Sequence, residues 1–330
     1  MTKVFFSDTD EIVDLSNDAV FKAAFTQNTP GSRESLRRLL IAILKRELTI
    51  TSITINANEP PIQDTRERQI RYDISVTFND GELANVEMTL WPTAHEVRRL
   101  EYYVDRLFLN QDIKGKDKSF RHLRRAYQIS FIAKRRLFDD DELVHHFEYH
   151  DREHNMPLGG QTQIITLELV KLDRVLQKAA ANMSAEERWS AFVRFCGDKS
   201  KRGLINELLA LEEGIALVAQ TMQGFTQEQL EYFHAMSREK FELDMQSIAT
   251  DARDEGRELG RKESRQVIAE KDRAIGEKDR AIDEKDRAIG EKDRAIGEKD
   301  RTIDEKDRAI AEKDRENAEL RQKLRVAGLE

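Results

Sequence analysis

The stretch YDISVTFNDGELANVEMTLW, residues 72–91, reads as a single β-hairpin, and its register can be argued from the residues alone. On the first arm Tyr72, Ile74, Val76 and Phe78 alternate with Asp73, Ser75 and Thr77. On the second, Ala84, Val86, Met88 and Leu90 alternate with Leu83, Asn85, Glu87 and Thr89. A two-residue Asp80-Gly81 turn would set Ile74 against Glu87 and mix the faces. A three-residue Asn79-Asp80-Gly81 loop with a left-handed glycine sets Ile74 against Val86 and Asp73 against Glu87, which keeps the apolar face whole. Directly opposed side chains on one face have Cβ atoms about 4.5–5.5 Å apart. Two carboxylates at that spacing repel unless they share a proton or a divalent cation. The bland reading is that both acids sit solvated on the outer face of a hairpin.

Working outward, 36–44 carries a helical stripe of Leu36, Leu39, Leu40, Ile43 and Leu44, and residues 1–48 read as helical. Residues 49–91 switch to β-branched runs broken at Pro60-Pro61. Glu96–Leu109 returns to helix with Leu100, Tyr103, Val104, Leu107 and Phe108 inward, strands recur at 126–133 and 163–169, and 172–248 reads as mostly helical.

Asn17-Asp18-Ala19-Val20-Phe21-Lys22 with Phe25, then Tyr72-Asp73-Ile74, then Glu87-Met88-Thr89 follow one another at informative spacings. Beyond them stand Arg98 or Arg99 with Tyr102-Tyr103, Gln111, Gly115, Leu167-Glu168-Leu169 with Lys171, and Trp189 with Phe192. Over residues 10–260 this order resembles the PD-(D/E)XK nuclease family transposases, or recombination-promoting nucleases. The resemblance implies an α/β restriction-endonuclease-like core and a Mg2+-dependent DNA endonuclease of recombination or mobile elements. Asp73 and Glu87 would hold the Mg2+, and Thr89 would stand beside the attacking water. Asp18 or Glu34 would be a third acid. Thr89 departs from the Gln or Lys of the family motif, and Tyr72 from its Pro. The Thr89 departure keeps open a second reading, in which the chain is a catalytically inactive relative acting in assembly through its C-terminus.

The chain has 330 residues, a net charge of −8, 36% charged and 7% aromatic residues, so a conventional core is not expected to reach its end. Positive charge is concentrated at 114–136, with nine Lys or Arg against Asp117, interleaved with Phe120, Tyr127 and Phe131. That run is the expected DNA-backbone contact. Cys196 is alone, no apolar run reaches ~18 residues, and the N-terminus lacks signal-peptide regions, so a cytoplasmic protein without membrane contact is expected. Cys196 follows an apolar helical stretch and reads as a buried, inert thiol. His146, His150 and His154 are four apart, with His145 and Glu153 beside them. They would share a face as zinc ligands on a helix, but the neighbouring residues equally fit a strand and loop.

From about residue 270 to 315 the heptad EKDRAIG repeats, placing Ile275, Ile282, Ile289, Ile296, Ile303 and Ile310 one per seven residues. With Ile at a, Lys falls at d, so only weak self-association is expected. Glu and Arg at alternating spacings of three and four form a ladder worth about 0.2–0.5 kcal/mol per pair. The expected organisation is a nuclease-like domain at 1–175, an accessory helical region at 176–250, a charged glycine-containing hinge at 251–265 and a heptad-repeat coiled-coil helix at 266–330.

Overall fold

In the computed structural model, residues 4–17 form no helix, and the first helix starts where Asn17 can cap it. The Asn17 side chain accepts from the Ala19 and Val20 amides, which opens α1 (Asp18–Thr26). The helical reading of residues 4–17 is therefore corrected. Phe6 and Leu15 are buried there outside any helix, and Asn206 ties Phe6 down by hydrogen bonds to both its amide and its carbonyl, each 2.9 Å. The structure describes residues 4–46, 49–57, 72–113, 116 and 119–327; Pro60, Pro61, Lys114, Gly115, Asp117 and Lys118 lie outside these.

Helix α2 (Pro30–Leu44) buries its leucine stripe. A six-stranded sheet follows, of β1 (Ile53–Ile55), β2 (Ile74–Phe78), β3 (Leu83–Thr89), β4 (Ala126–Ile132), β5 (Val144–Phe147) and β6 (Thr162–Glu168). Its spatial order is β1-β2-β3-β4-β6-β5. The outer pairs are antiparallel and β3, β4 and β6 run parallel. Ile74 pairs with Val86, and Gly81 adopts φ +84°, so the three-residue loop and its register hold as the residues imply.

One face of the sheet buries Val76, Val86, Met88, Ile129, Phe131 and Leu167 in a core that α1 covers and that α2 and α4 (Ala185–Phe195) share. Phe21 meets Phe25 at 4.9 Å and Phe131 at 5.5 Å, so the aromatics of the opening motif staple α1 to the sheet. The other face is not the solvated surface that the polar alternation suggested. Helix α3 (Glu96–Leu109) covers it with Leu100, Val104 and Leu107, and Asn85, Glu87, Gln128, Ser130 and Thr166 are buried beneath. Parallel strands need cover on both faces, which is the physical reason. Tyr72, expected beside Ile74, packs with Tyr103, Val104 and Leu107 because the chain bends at Asp73.

Helices α5 (Arg202–Leu211) and α6 (Glu213–Gln223) complete the helical side. Gly214 lets α6 close on α2, since a Cβ there would lie 2.8 Å from both Arg38 and Trp189. Cys196 is buried, with its thiol pushed up to about 12 by burial. Helix α7 (Gln227–Val326) follows; residues 251–265, read above as a hinge, are helical. Contacts divide the chain into two compact units, 1–251 and 252–330. In the second, the heptad isoleucines from Ile268 to Ile310 are all exposed. No helix among the described residues is long and apolar enough to cross a membrane.

Candidate functional site

Glu87 lies near the C-terminal end of the central strand β3, with its side chain on the α3 face and only 2% of the residue exposed. Burying a carboxylate is costly unless charge or hydrogen bonds compensate it. The compensation comes from α3: Arg99 Nη1 is 3.4 Å from Glu87 Oε2. Arg99 also donates through Nη2 to Thr89 Oγ1 at 2.8 Å and to Glu96 Oε1 at 2.6 Å. Burial opposes its charge, but the Glu87 and Glu96 carboxylates outweigh that and raise its pKa. The guanidinium rests 5.3 Å from the ring centroid of Tyr103.

Asp73 stands at the bend immediately before β2, one residue beyond the Ile74–Val86 pair and across the hairpin from the arm that carries Glu87. Its Oδ2 accepts the Met88 amide at 3.2 Å, which fixes the carboxylate against the opposite arm. Burial raises the Tyr103 hydroxyl pKa, and the charges of Glu87 and then Asp73 add to the rise, so both carboxylates act on the same spot. Thr89, 7% exposed, is 3.4 Å from the oxygens of Ser130 and of Glu96. Further back on the same face of β3, Asn85 donates to Gln128 at 2.8 Å, leaving Asn85 Oδ1 and Gln128 Nε2 buried with no hydrogen-bond partner among the described residues.

The structure thus brings Asp73, Glu87 and Thr89 to one end of the hairpin. The suggested third acids have other contacts: Glu34 is held by Arg37 and Arg38, and Asp18 receives the Ser237 hydroxyl at 3.3 Å. Glu96 was missed. An acid in the first turn of the helix that follows a candidate site strand was the available signal, since it favours that helix end and is aimed back toward the strand.

The histidines do not form the four-apart zinc face. His146, in β5, faces Glu186 at 3.6 Å, while His150 pairs with Glu148 at 3.1 Å and His154 with Asp151 at 2.9 Å. Their neighbour His145 instead joins Asp140 and Glu168, with ligand atoms all within 4.8 Å. This group could hold a cation, and one is already there. Lys171 Nζ lies 2.7 Å from both Asp140 Oδ1 and Glu168 Oε1.

The model of the PD-(D/E)XK nuclease family transposases matches residues 15–252. The chain belongs to this family. Comparison with curated proteins and with solved structures gave no match. In this family member, both the Glu87 and the Glu168 clusters fall inside the matched span, and the heptad isoleucines fall beyond it.

The nuclease family implies DNA as substrate, and the basic run expected to meet it is split by the fold. Tyr127 and Phe131 are core residues of β4, not stacking platforms. Seven strand residues, roughly 23 Å, separate exposed Arg124 and Arg125 from exposed Lys134, Arg135 and Arg136. The Ala133 and Lys134 amides bond to the Thr89 and Leu90 carbonyls, so only the second group flanks the Glu87 end. Arg136 there is taken up by Asp141 at 3.1 Å.

Proposed function

We propose that the chain is a Mg2+-dependent DNA endonuclease of recombination or mobile elements, working in the cytoplasm, with Asp73 and Glu87 as metal ligands and Thr89 beside the attacking water. The observation that carries this reading is the Glu87 carboxylate, kept buried at the end of β3 next to Met88, whose amide holds Asp73. The donor set fits the ion. Carboxylates and the hydroxyls of Thr89 and Ser130 are all hard oxygen donors, and Mg2+ needs few protein ligands because it retains waters. When bound, Mg2+ lowers the pKa of a coordinated water and stabilises charge developing on the scissile phosphate. Glu87 is oriented by the sheet and by Arg99, and Asp73 by the Met88 amide. Thr89 Oγ1, held between Arg99 and Glu96, is placed to hydrogen-bond a water but carries no charge. In the reaction the water oxygen forms a bond to phosphorus, one phosphoester bond breaks, and the leaving oxygen takes up a proton. Plasmid nicking with Mg2+ and with chelator tests this directly. Absence of Mg2+-dependent nicking would favour the second reading, an inactive relative acting through its C-terminal helix, to which Thr89 points.

DNA contact is proposed at Lys134 and Arg135. Each phosphate contact removed flattens the plot of log affinity against log salt by about 0.9. Lys134→Ala with Arg135→Ala should therefore flatten that slope and weaken binding in Ca2+, measured by fluorescence anisotropy, while Arg124→Ala should leave the slope unchanged. The reverse pattern would move the contact to the Gly81 end of the sheet.

The C-terminal helix is proposed to self-associate weakly through its isoleucine seam, and the nuclease-like 1–175 core with its 176–250 helices to fold without it. Truncation after about residue 262 should leave a cooperatively unfolding protein. Ile282→Asn, Ile289→Asn and Ile296→Asn together should abolish concentration-dependent association in sedimentation, because they remove the large apolar groups of three consecutive heptads. Association that survives would put the contact in the first unit.

A further inference from the structure

Thr89 leaves the strand without a charged side chain where the family motif has Lys or Gln, yet a cation reaches the same point from another element. Arg99 comes from the first turns of α3, donates to Thr89 Oγ1 at 2.8 Å and lies 3.4 Å from Glu87 Oε2. Building on the nuclease reading, we propose that Arg99 is a catalytic residue, the cation that meets the scissile phosphate in place of a lysine at position 89.

Charge balance asks for such a group. Asp73, Glu87 and Glu96 with one phosphodiester bring four negative charges to the site, and one Mg2+ offsets two of them. A guanidinium is permanently charged, and its planar fork suits phosphate oxygens. Arg99 is fixed without being enclosed. Nε and Nη2 are committed to Glu96 and Thr89, the ring of Tyr103 supports the plane, and Nη1 is turned toward Glu87, where charge would develop during cleavage. Its side chain is still 38% exposed, against 2–3% for the two carboxylates it touches, so substrate can reach it. A helix-surface ion pair between Glu96 and Arg99 would need neither the contact to Thr89 nor that to Glu87.

The consequence reverses what position 89 suggests by itself. Reading the motif alone, Thr89→Lys should raise activity. With Arg99 in place it sets two cations side by side and should bring no gain, whereas in an Arg99→Gln background the same lysine supplies the missing charge.

The test is single-turnover cleavage at saturating DNA and Mg2+, with Mg2+ affinity by calorimetry and melting temperature followed in parallel. Arg99→Gln should cut the rate roughly a hundredfold or more, the scale of losing one preorganised charge-stabilising donor. Its Mg2+ affinity should be unchanged or tighter, because a positive charge beside Glu87 has gone. Adding Thr89→Lys to Arg99→Gln should restore at least tenfold, and millimolar guanidinium ion should speed up Arg99→Ala, which does not depend on how the double variant folds. Parent-like cleavage by Arg99→Gln overturns the role of Arg99 alone. Loss of rate that neither the lysine nor guanidinium rescues assigns Arg99 to bracing Glu96 and overturns it too. A parent that binds Mg2+ but cleaves nothing overturns the nuclease reading, and this role with it.

Discussion

Asp73→Asn or Glu87→Gln should remove Mg2+-dependent nicking by roughly a thousandfold, the equivalent of about 4 kcal/mol in the barrier, while the protein stays folded. Each change keeps shape and hydrogen-bonding capacity and deletes one charge. Asp73→Asn retains an oxygen for the Met88 amide. Glu87→Gln leaves Arg99 its partner Glu96, and neutralising a buried carboxylate relieves a desolvation cost. Melting temperature and metal binding should therefore diverge, the first nearly constant and the second lost from calorimetry. Unfolding of both variants, or parent-like nicking by either, would show that the pair is structural.

The opposite behaviour is expected at Glu168. Lys171→Met should destabilise the protein by about 3–5 kcal/mol, the cost of breaking a buried ion pair by removing one partner. The side chains of Lys171 and Glu168 are fully buried, and Glu168 also accepts the Leu137 amide at 2.7 Å. Without the ammonium, an uncompensated carboxylate remains under the loop that leads to Asp140. Pairing Lys171→Met with Glu168→Gln should recover most of the loss, because two neutral groups of similar volume replace an ion pair at little net cost. Urea unfolding of the parent, the single and the double variant checks this. A single variant as stable as the parent would mean that the cluster is held by something other than Lys171, and would reopen Asp140, His145 and Glu168 as a site for an added cation.

Much of the fold was legible because it rests on local periodicities. The hairpin register follows from alternation plus one glycine able to take φ > 0, and Gly81 takes it. The bounds of α3 and the strands on either side of the His145 segment were read for the same reason. What failed was whatever depends on which elements meet. Polar alternation in 83–89 looked like a wet face because alternation reports two faces without saying what covers each. Only α3 folding over the sheet makes Glu87 a buried acid. The basic run looked like one patch because neighbours in sequence were counted as neighbours in space, and a seven-residue strand carries them apart.

The same division holds for the candidate site. By itself the sequence determined the acidic pair across the hairpin, the departure at Thr89, the family and the isoleucine repeat, since each is a matter of residue type and spacing. The tertiary structure alone decided that Glu96 and Arg99 join that pair, that Lys171 fills the acidic pocket beside His145, and that Lys134 and Arg135, not Arg124, flank the acids. Those residues are brought to the β3 end by the packing of α3 on the sheet and by the parallel pairing of β3, β4 and β6. Contacts of that kind depend on where whole elements pack, which the spacing of residues within one element does not encode.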